Sequence, residues 1–421
     1  MAAYFSLAVL VVVVLISYFT NVNAGVLGIL FAFVTGVYLL GSLSAGEVTM
    51  TAKNVIAGWP NSTIMTLMGM TFLFGIAKVN GTLENVAKFI VSLVRGKRVL
   101  LPFVFFLLSA VLSYVGPGPV VMVAIIAPIT LAAGGAAGIS DELSGFSTIT
   151  GCLAGGLNKI TPSGVIAYER GMEVGVMDYN PVFLSCMLIS IVLFACYFVF
   201  YGGLKLAKEG SSNAASEKIT FDKNQTITLV IIAIALLLIM ILKTDTALTG
   251  FAAAAILLVL KVADQKKSIA AISWNTILLV GGMGMLVNVV SVAGGIDALT
   301  AALATIAGPK TAAPIMSITA SLMSAVSSAS GVVMPTLIPT IPGMVEAMGG
   351  AVSNSALLSA IVVGAHMTTI SPMSTLGAMT LGATNEGTNK EKFFTTLLIG
   401  AIFAAVFGAI IGGVGLFYLG G

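Results

Sequence analysis

The sequence predicts an all-α polytopic membrane protein built as two inverted repeats of five spans, each repeat carrying one re-entrant helical hairpin and one broken helix. Three observations lead there. The 421 residues are 58% hydrophobic and only 8% charged, with a mean hydropathy of +1.09, whereas a soluble domain carries about 25% charged residues to coat its surface. Apolar runs of span length follow one another along the whole chain. Clusters of helix breakers interrupt four of the long apolar stretches, two in each half.

The expected elements run in order. Continuous spans are predicted at 4–20, 25–45, 61–79, 181–203, 225–242, 247–262, 275–293 and 393–418, where apolar residues run long enough to cross a hydrocarbon core of ~30 Å. The first is expected to stay in the membrane, because MAAYF holds no basic residue and the run is followed by Asn21, Asn23 and another span. Segments 99–135 and 312–345 are interrupted by VGPGP (115–119) and SSASG (327–331), which predicts hairpins. Segments 144–167 and 355–383 are interrupted by NKITPSG (158–164) and HMTTISPMS (366–374), which predicts broken helices. Basic residues collect on one side: Lys88, Arg95, Lys97, Arg98, Lys205, Lys208, Lys218, Lys223, Lys261, Lys266, Lys267, Lys390 and Lys392, with Lys78 at the border. Lys53, Arg170, Lys243 and Lys310 fall opposite. This asymmetry puts both termini outside, on the periplasmic face of a bacterial inner membrane. Residues 206–223 are polar and linker-like, dividing a first repeat (1–205) from a second (224–421).

The halves echo each other. At an offset of 213, Thr63-Ile64 meets Thr276-Ile277, Gly69-Met70 meets Gly282-Met283, and Gly81-Thr82-Leu83-Glu84 meets Gly294-Gly295-Ile296-Asp297. At 212, Val120-Val121-Met122 meets Val332-Val333-Met334, and at 210 Thr161-Pro162 meets Ser371-Pro372. An odd number of spans per half turns the second half upside down. Inverted repeats with paired interrupted helices predict a secondary transporter whose site lies where the breaks meet. Unwound backbone costs several kcal/mol per group facing lipid, so it persists where it lines a cavity or binds something. Half-helix N-termini favour anions, and freed carbonyls can hold a small cation.

At the breaks, SYVGPGPVVMVAIIAPIT (113–130), GGLNKITPSG (155–164) and GAHMTTISPMSTLGA (364–378) resemble the ion transporter superfamily, and most closely its malonate/dicarboxylate carrier branch, related to the divalent anion:sodium symporters. The resemblance implies an elevator mechanism, with a transport domain of about 99–180 plus 310–385, the remaining spans forming a scaffold, and a homodimer. The leading expectation is cation-coupled symport of a small dicarboxylate such as malonate or succinate, with no resident cofactor; neutral, hydroxyl-rich tips and freed carbonyls favour Na⁺, while His366 leaves H⁺ open. In the symporter relatives the hairpin tips carry Ser-Asn-Thr motifs that bind substrate carboxylates. Here the tips are Gly116-Pro117-Gly118-Pro119 and Ser327-Ser328-Ala329-Ser330, with no Asn in either.

The candidate substrate residues are therefore Gly116, Pro117, Gly118 and Pro119; Asn158, Lys159, Thr161 and Ser163; Ser327, Ser328 and Ser330; and His366, Thr369, Ser371 and Ser374, with Thr368 and Thr375 nearby. Candidate Na⁺ positions are near Ser113, Gly116 and Asn158, and near Ser324, Ser327 and Thr368. Lys159 reads either as a counter-charge for one carboxylate or as a lysine snorkelling to the interface. The lone histidine, His366, reads as a proton or carboxylate ligand or as a packing residue donating to a freed carbonyl. The tip serines read as binders or as plain turn residues. Glu169, Arg170, Glu173 and Asp178 are expected in a solvated external loop and Asp141-Glu142 in an internal one.

Other classes fall away. With 19 Lys+Arg against 16 Asp+Glu, nothing tracks a phosphate backbone, so nucleic acid is not an expected partner. Cys152, Cys186 and Cys196 lack metal-ligand spacing. His366 has no nucleophile elbow and no carboxylate near it in sequence, and GxxxxGK[ST] is absent, so neither an enzyme nor an ATP-driven pump is expected. An Na⁺/H⁺ antiporter, a metalloid exporter or a sugar-acid carrier of the same superfamily remains the alternative. The antiporter is disfavoured because no tip or break holds Asp or Glu. A gated channel fits the paired breaks less well.

Overall fold

The computed structural model describes residues 1–20, 22–44, 48–92, 98–206, 219–325, 327–384 and 387–420. Most of the expected linker, with Lys208 and Lys218, lies outside them, as do Asn21, Arg95 and Lys97. The described residues form helices and turns with no strand.

The first half runs α1 (Ala2–Thr20), α2 (Ala24–Phe33, continued by a π-turn Val34–Leu39 and by Leu40–Leu43), α3 (Ala52–Ile56), α4 (Asn61–Val79), α5 (Thr82–Ser92), α6 (Leu101–Tyr114), α7 (Gly118–Ala136), α8 (Asp141–Gly155), α9 (Pro162–Glu173) and α10 (Asn180–Phe200). The second runs α11 (Lys223–Ile241), α12 (Thr246–Val259), α13 (Gln265–Ala270), α14 (Trp274–Val292), α15 (Gly295–Ile306) and α16 (Ala312–Ala325). A relay of short turns leads to α17 (Ile341–Ala347), followed by α18 (Asn354–Met367), α19 (Thr375–Gly382) and α20 (Lys390–Val414). Seven helical segments among the described residues are apolar and long enough to cross a bilayer. This is a multi-pass membrane protein.

Local chemistry sets the ends. Asn23, Ser140, Thr161, Asp245 and Ser353 each accept a backbone N–H from the first turn of the helix they open, and Asp222 with Gln225 makes a reciprocal box at α11. Gly116 (φ +148°) and Gly118 (φ +77°) turn α6 into α7. A Cβ at Gly116 would lie 2.3 Å from the Phe74 ring, so conformation and space both require glycine. The return limb of the second hairpin is less regular: a π-turn Ala329–Val333, one α-turn Met334–Leu337, a 3-10 turn Ile338–Thr340 and then α17. Pro335, Pro339 and Pro342 each remove a backbone donor there, and the hydrogen-bond pattern shifts accordingly.

Several sequence expectations change. Glu169, Arg170 and Glu173 lie on the last turns of α9 rather than in a loop, with Arg170 Nη1 2.8 Å from Glu173 Oε2. Asp141 and Glu142 form the first turn of α8, where an N-terminus favours acids, and Glu142 pairs with Lys392 at 3.0 Å. The amphipathic helices α5 and α15 were not anticipated. Each follows a glycine of positive φ, Gly81 (+74°) and Gly294 (+77°).

Close helix crossings are made through small residues. A Cβ on Gly282 of α14 would lie 1.8 Å from the Gly25 carbonyl oxygen of α2, and one on Gly69 of α4 would lie 2.3 Å from the Ala247 carbonyl oxygen of α12. Around the buried centre, Gly151 and Gly155 of α8 press on carbonyls of Phe106 and Ala110 in α6, and Gly364 of α18 presses on that of Ser317 in α16. Helices α8 and α18 thus lie at the core, each clamped to the outgoing limb of its own hairpin.

Candidate functional site

The two interruptions are built alike. In the first, α8 ends at Gly155 and α9 begins at Pro162; in the second, α18 ends at Met367, a 3-10 turn covers Thr368–Ile370, and α19 begins at Thr375. Gly164 sits so close under the first break that a Cβ would lie 1.9 Å from the Asn158 carbonyl oxygen, and a Cβ on Gly377 would lie 2.3 Å from that of Ser371. Each hairpin donates to the adjoining half-helix: Ser113 Oγ to the Cys152 carbonyl at 2.8 Å, and Ser324 Oγ to the Ala365 carbonyl at 2.6 Å. These bonds satisfy carbonyls that unwinding would otherwise leave bare.

The side chains then diverge. Thr161 is fully engaged, donating to the Gly156 and Asn158 carbonyls (2.6 and 2.8 Å) while accepting from Gly164 N at 3.1 Å. Asn158 Nδ2 ties the break to the first tip through the Tyr114 carbonyl at 2.8 Å. In the second break Thr368 and Thr369 donate back to helix carbonyls and Ser371 accepts from Met373 N. Ser374, at the N-terminus of α19, has a buried hydroxyl with no partner and does not cap the helix.

His366 is buried at the centre. Its imidazole bonds the Leu153 carbonyl, leaving Nε2 without a partner. That nitrogen lies 2.9 Å from where a Cβ on Gly156 would stand, and Pro119 of the first tip would meet the same Cβ at 2.2 Å. Glycine at 156 therefore lets the first break, the first tip and the second broken helix meet. Lys159 is exposed on the first break.

A cavity of about 340 Å³ opens between these elements and the spans around them. One wall is the second tip, through Ser327, Ser328 and Ser330, with Thr375 from the first turn of α19 and Val120 of α7. The same cavity is lined by Ser17 of α1, Asn23 at the start of α2, and Asn275 and Thr276 from the first turn of α14. No charged side chain lines it among the described residues. The start of α2, the start of α14 and the start of α19 therefore face one space, presenting N–H dipoles, hydroxyls and amides, which suits an anion held by neutral donors. A smaller cavity of about 170 Å³ lies on the other side of Val120, where Pro117 of the first tip faces Thr71 and Lys78 of α4.

Residues 1–156 match the family profile described as the dicarboxylate carrier protein MatC N-terminus. That match covers the N-terminal part of the chain and is a similarity to a dicarboxylate carrier family. The fold is similar to that of the YdaH transporter of Alcanivorax borkumensis, seen in a crystal structure, with a TM-score of 0.56 and 15% identity over 93% of this chain and 98% of that one. No curated protein sequence matches significantly.

Of the residues singled out from sequence, the structure places Ser327, Ser328, Ser330 and Thr375 on the larger cavity and Pro117 on the smaller. Gly116, Gly118, Pro119, Asn158, Lys159, Thr161, Ser163, His366, Thr369, Ser371 and Ser374 do not line the larger one. Sequence reasoning missed Ser17, Asn23, Asn275 and Thr276. Their signal was faint: polar residues at the mouths of otherwise apolar spans, which read first as boundary markers.

Proposed function

We propose that this chain carries a small dicarboxylate such as malonate or succinate across a bacterial inner membrane, coupled to a cation, with Na⁺ favoured over H⁺. The observation that carries the reading is the larger cavity, walled by three helix starts and eight polar, uncharged side chains. The name of the family matched by residues 1–156 supports the substrate class.

An inverted repeat and an elevator mechanism belong to the same reading. Support for the repeat comes from equivalent details: Gly69 and Gly282 at the span crossings, Gly151 and Gly364 at the hairpin clamps, and Gly164 and Gly377 under the breaks all stand 213 residues apart. Support for an elevator comes from the cavity's lining, which is shared between the tip and α19 of the one proposed body and α1, α2 and α14 of the other. In this reading, 99–180 and 310–385 move against the remaining spans, which form the homodimer scaffold, and both termini are periplasmic. The hydroxyls near Ser113, Gly116 and Asn158 and near Ser324, Ser327 and Thr368 are the proposed cation ligands, since a hydroxyl that donates to a carbonyl keeps lone pairs for Na⁺. Lys159, on the same moving domain, is the proposed counter-charge, and Gly116 to Pro119, Thr161, Ser163, His366, Thr369, Ser371 and Ser374 form the surrounding shell.

Uptake of labelled malonate and succinate into proteoliposomes of the purified protein tests this, comparing an inward Na⁺ gradient, a K⁺ control and an imposed pH gradient. Saturable uptake driven by Na⁺, weakened by Ser328→Ala, is expected. Uptake driven only by the pH gradient would move coupling to H⁺, and no uptake of either acid would sink the dicarboxylate reading.

A further inference from the structure

Two asparagines that line the cavity with the serine tip are wired together. Asn23 Nδ2 donates both to the backbone carbonyl of Asn275 at 2.9 Å and to its side-chain Oδ1 at 2.6 Å. Asn23 Oδ1 accepts from Gly25 N at 2.7 Å, so this side chain is committed to structure at both ends. Asn275 is not. With Oδ1 fixed by Asn23, its amide nitrogen must point the other way, and no protein acceptor holds that nitrogen among the described residues. The residue is exposed, it lines the cavity, and it belongs to the first turn of α14, where the helix dipole adds to its donor character.

We propose that Asn275 is a substrate-carboxylate contact contributed by the scaffold, and that Asn23 is its positioning residue. This rests on the carrier reading above and deepens it. The serine tip with Thr375 and the Asn275 amide come from different elements and line one cavity of about 340 Å³, so a molecule with two carboxylates engages both, whereas a monocarboxylate engages one. Asn275 is then the residue that separates dicarboxylates from monocarboxylates. These elements come from different bodies in the elevator reading, so this contact exists only where the tip faces α14.

The test combines transport and labelling. Asn275→Ala is expected to raise the malonate KM about tenfold or more, the scale of losing one hydrogen bond to a charged group, while leaving inhibition by acetate unchanged. Asn23→Ala is expected to raise KM less, and the double variant to be no worse than Asn275→Ala alone, because Asn23 acts through Asn275. An unchanged KM, equal weakening of acetate and malonate, or additive effects would overturn the assignment. To separate it from the carrier reading, Asn275→Cys is labelled with a methanethiosulfonate reagent in the presence of malonate, succinate, acetate or gluconate, with wild-type protein as control. Protection by malonate or succinate above acetate supports the contact even if wild-type protein transports neither acid, in which case only the carrier reading fails. Protection by none of the four overturns the contact whatever the transport result.

Discussion

The first and second breaks share a backbone and differ in what their side chains do. In the first, Thr161 and Asn158 use their polar atoms on nearby carbonyls and amides, Pro162 opens the next helix, and the adjoining tip is built of glycine and proline packed on Phe74 and His366's neighbour Gly156. In the second, Ser374 is left without a partner, Thr375 faces open space, and the adjoining tip presents three serines to the larger cavity. The lesson is that similar geometry can be finished in two ways. One break has Thr161 and Asn158 bonded to nearby backbone, while the other leaves the Ser374 hydroxyl unpartnered.

This contrast can be broken experimentally. The largest effects fall on what the breaks have in common: Gly164→Ala and Gly377→Ala should both cost about 3 kcal/mol or more, because the new Cβ meets backbone that cannot yield. Thermal unfolding in detergent should show both failing together, and tolerance of one alone would mean the two backbones are not equivalent. Next, Thr161→Val should lose about 1–2 kcal/mol by removing a helix cap and its two carbonyl partners, whereas Ser374→Ala should stay within about 0.5 kcal/mol and reduce uptake instead. Equal losses in the two variants would erase the distinction between the two breaks. Asn158→Ala should cost about 1 kcal/mol by freeing the Tyr114 carbonyl, read as a lower unfolding midpoint. The smallest change in stability is expected for exposed Lys159→Ala, whose readout is transport: a raised KM for malonate with unchanged inhibition by acetate fits a counter-charge, and an unaltered KM removes Lys159 from the site.

Much of the architecture was legible in the sequence, for a physical reason. Long uncharged runs have one stable solution in a bilayer, and breakers such as VGPGP and SSASG cannot continue a helix, so span bounds such as 61–79 coincide with α4. Helices α5 and α15 escaped because they are short and mixed in polarity, and the last turns of α9 escaped because Glu169, Arg170 and Glu173 look like loop residues until their i,i+3 pairing is seen. The site was half legible. Tip serines announce themselves by standing in the middle of an apolar run, but Asn23 and Asn275 stand at span ends, where polar residues are ordinary. Their meeting, 252 residues apart in sequence, depends on a helix crossing that no local pattern encodes.

That crossing also bears on how the molecule is made. Gly25 and Gly28 of α2 nest on Gly282 of α14, and Gly69 of α4 nests on Ala247 and Gly250 of α12. The mates are made late in synthesis, so when the first half leaves the ribosome two of its helices already sit in lipid with their glycine faces unmatched. Each of these crossings joins the two halves of the chain, so neither pair of glycine faces can be matched before the second half has been made.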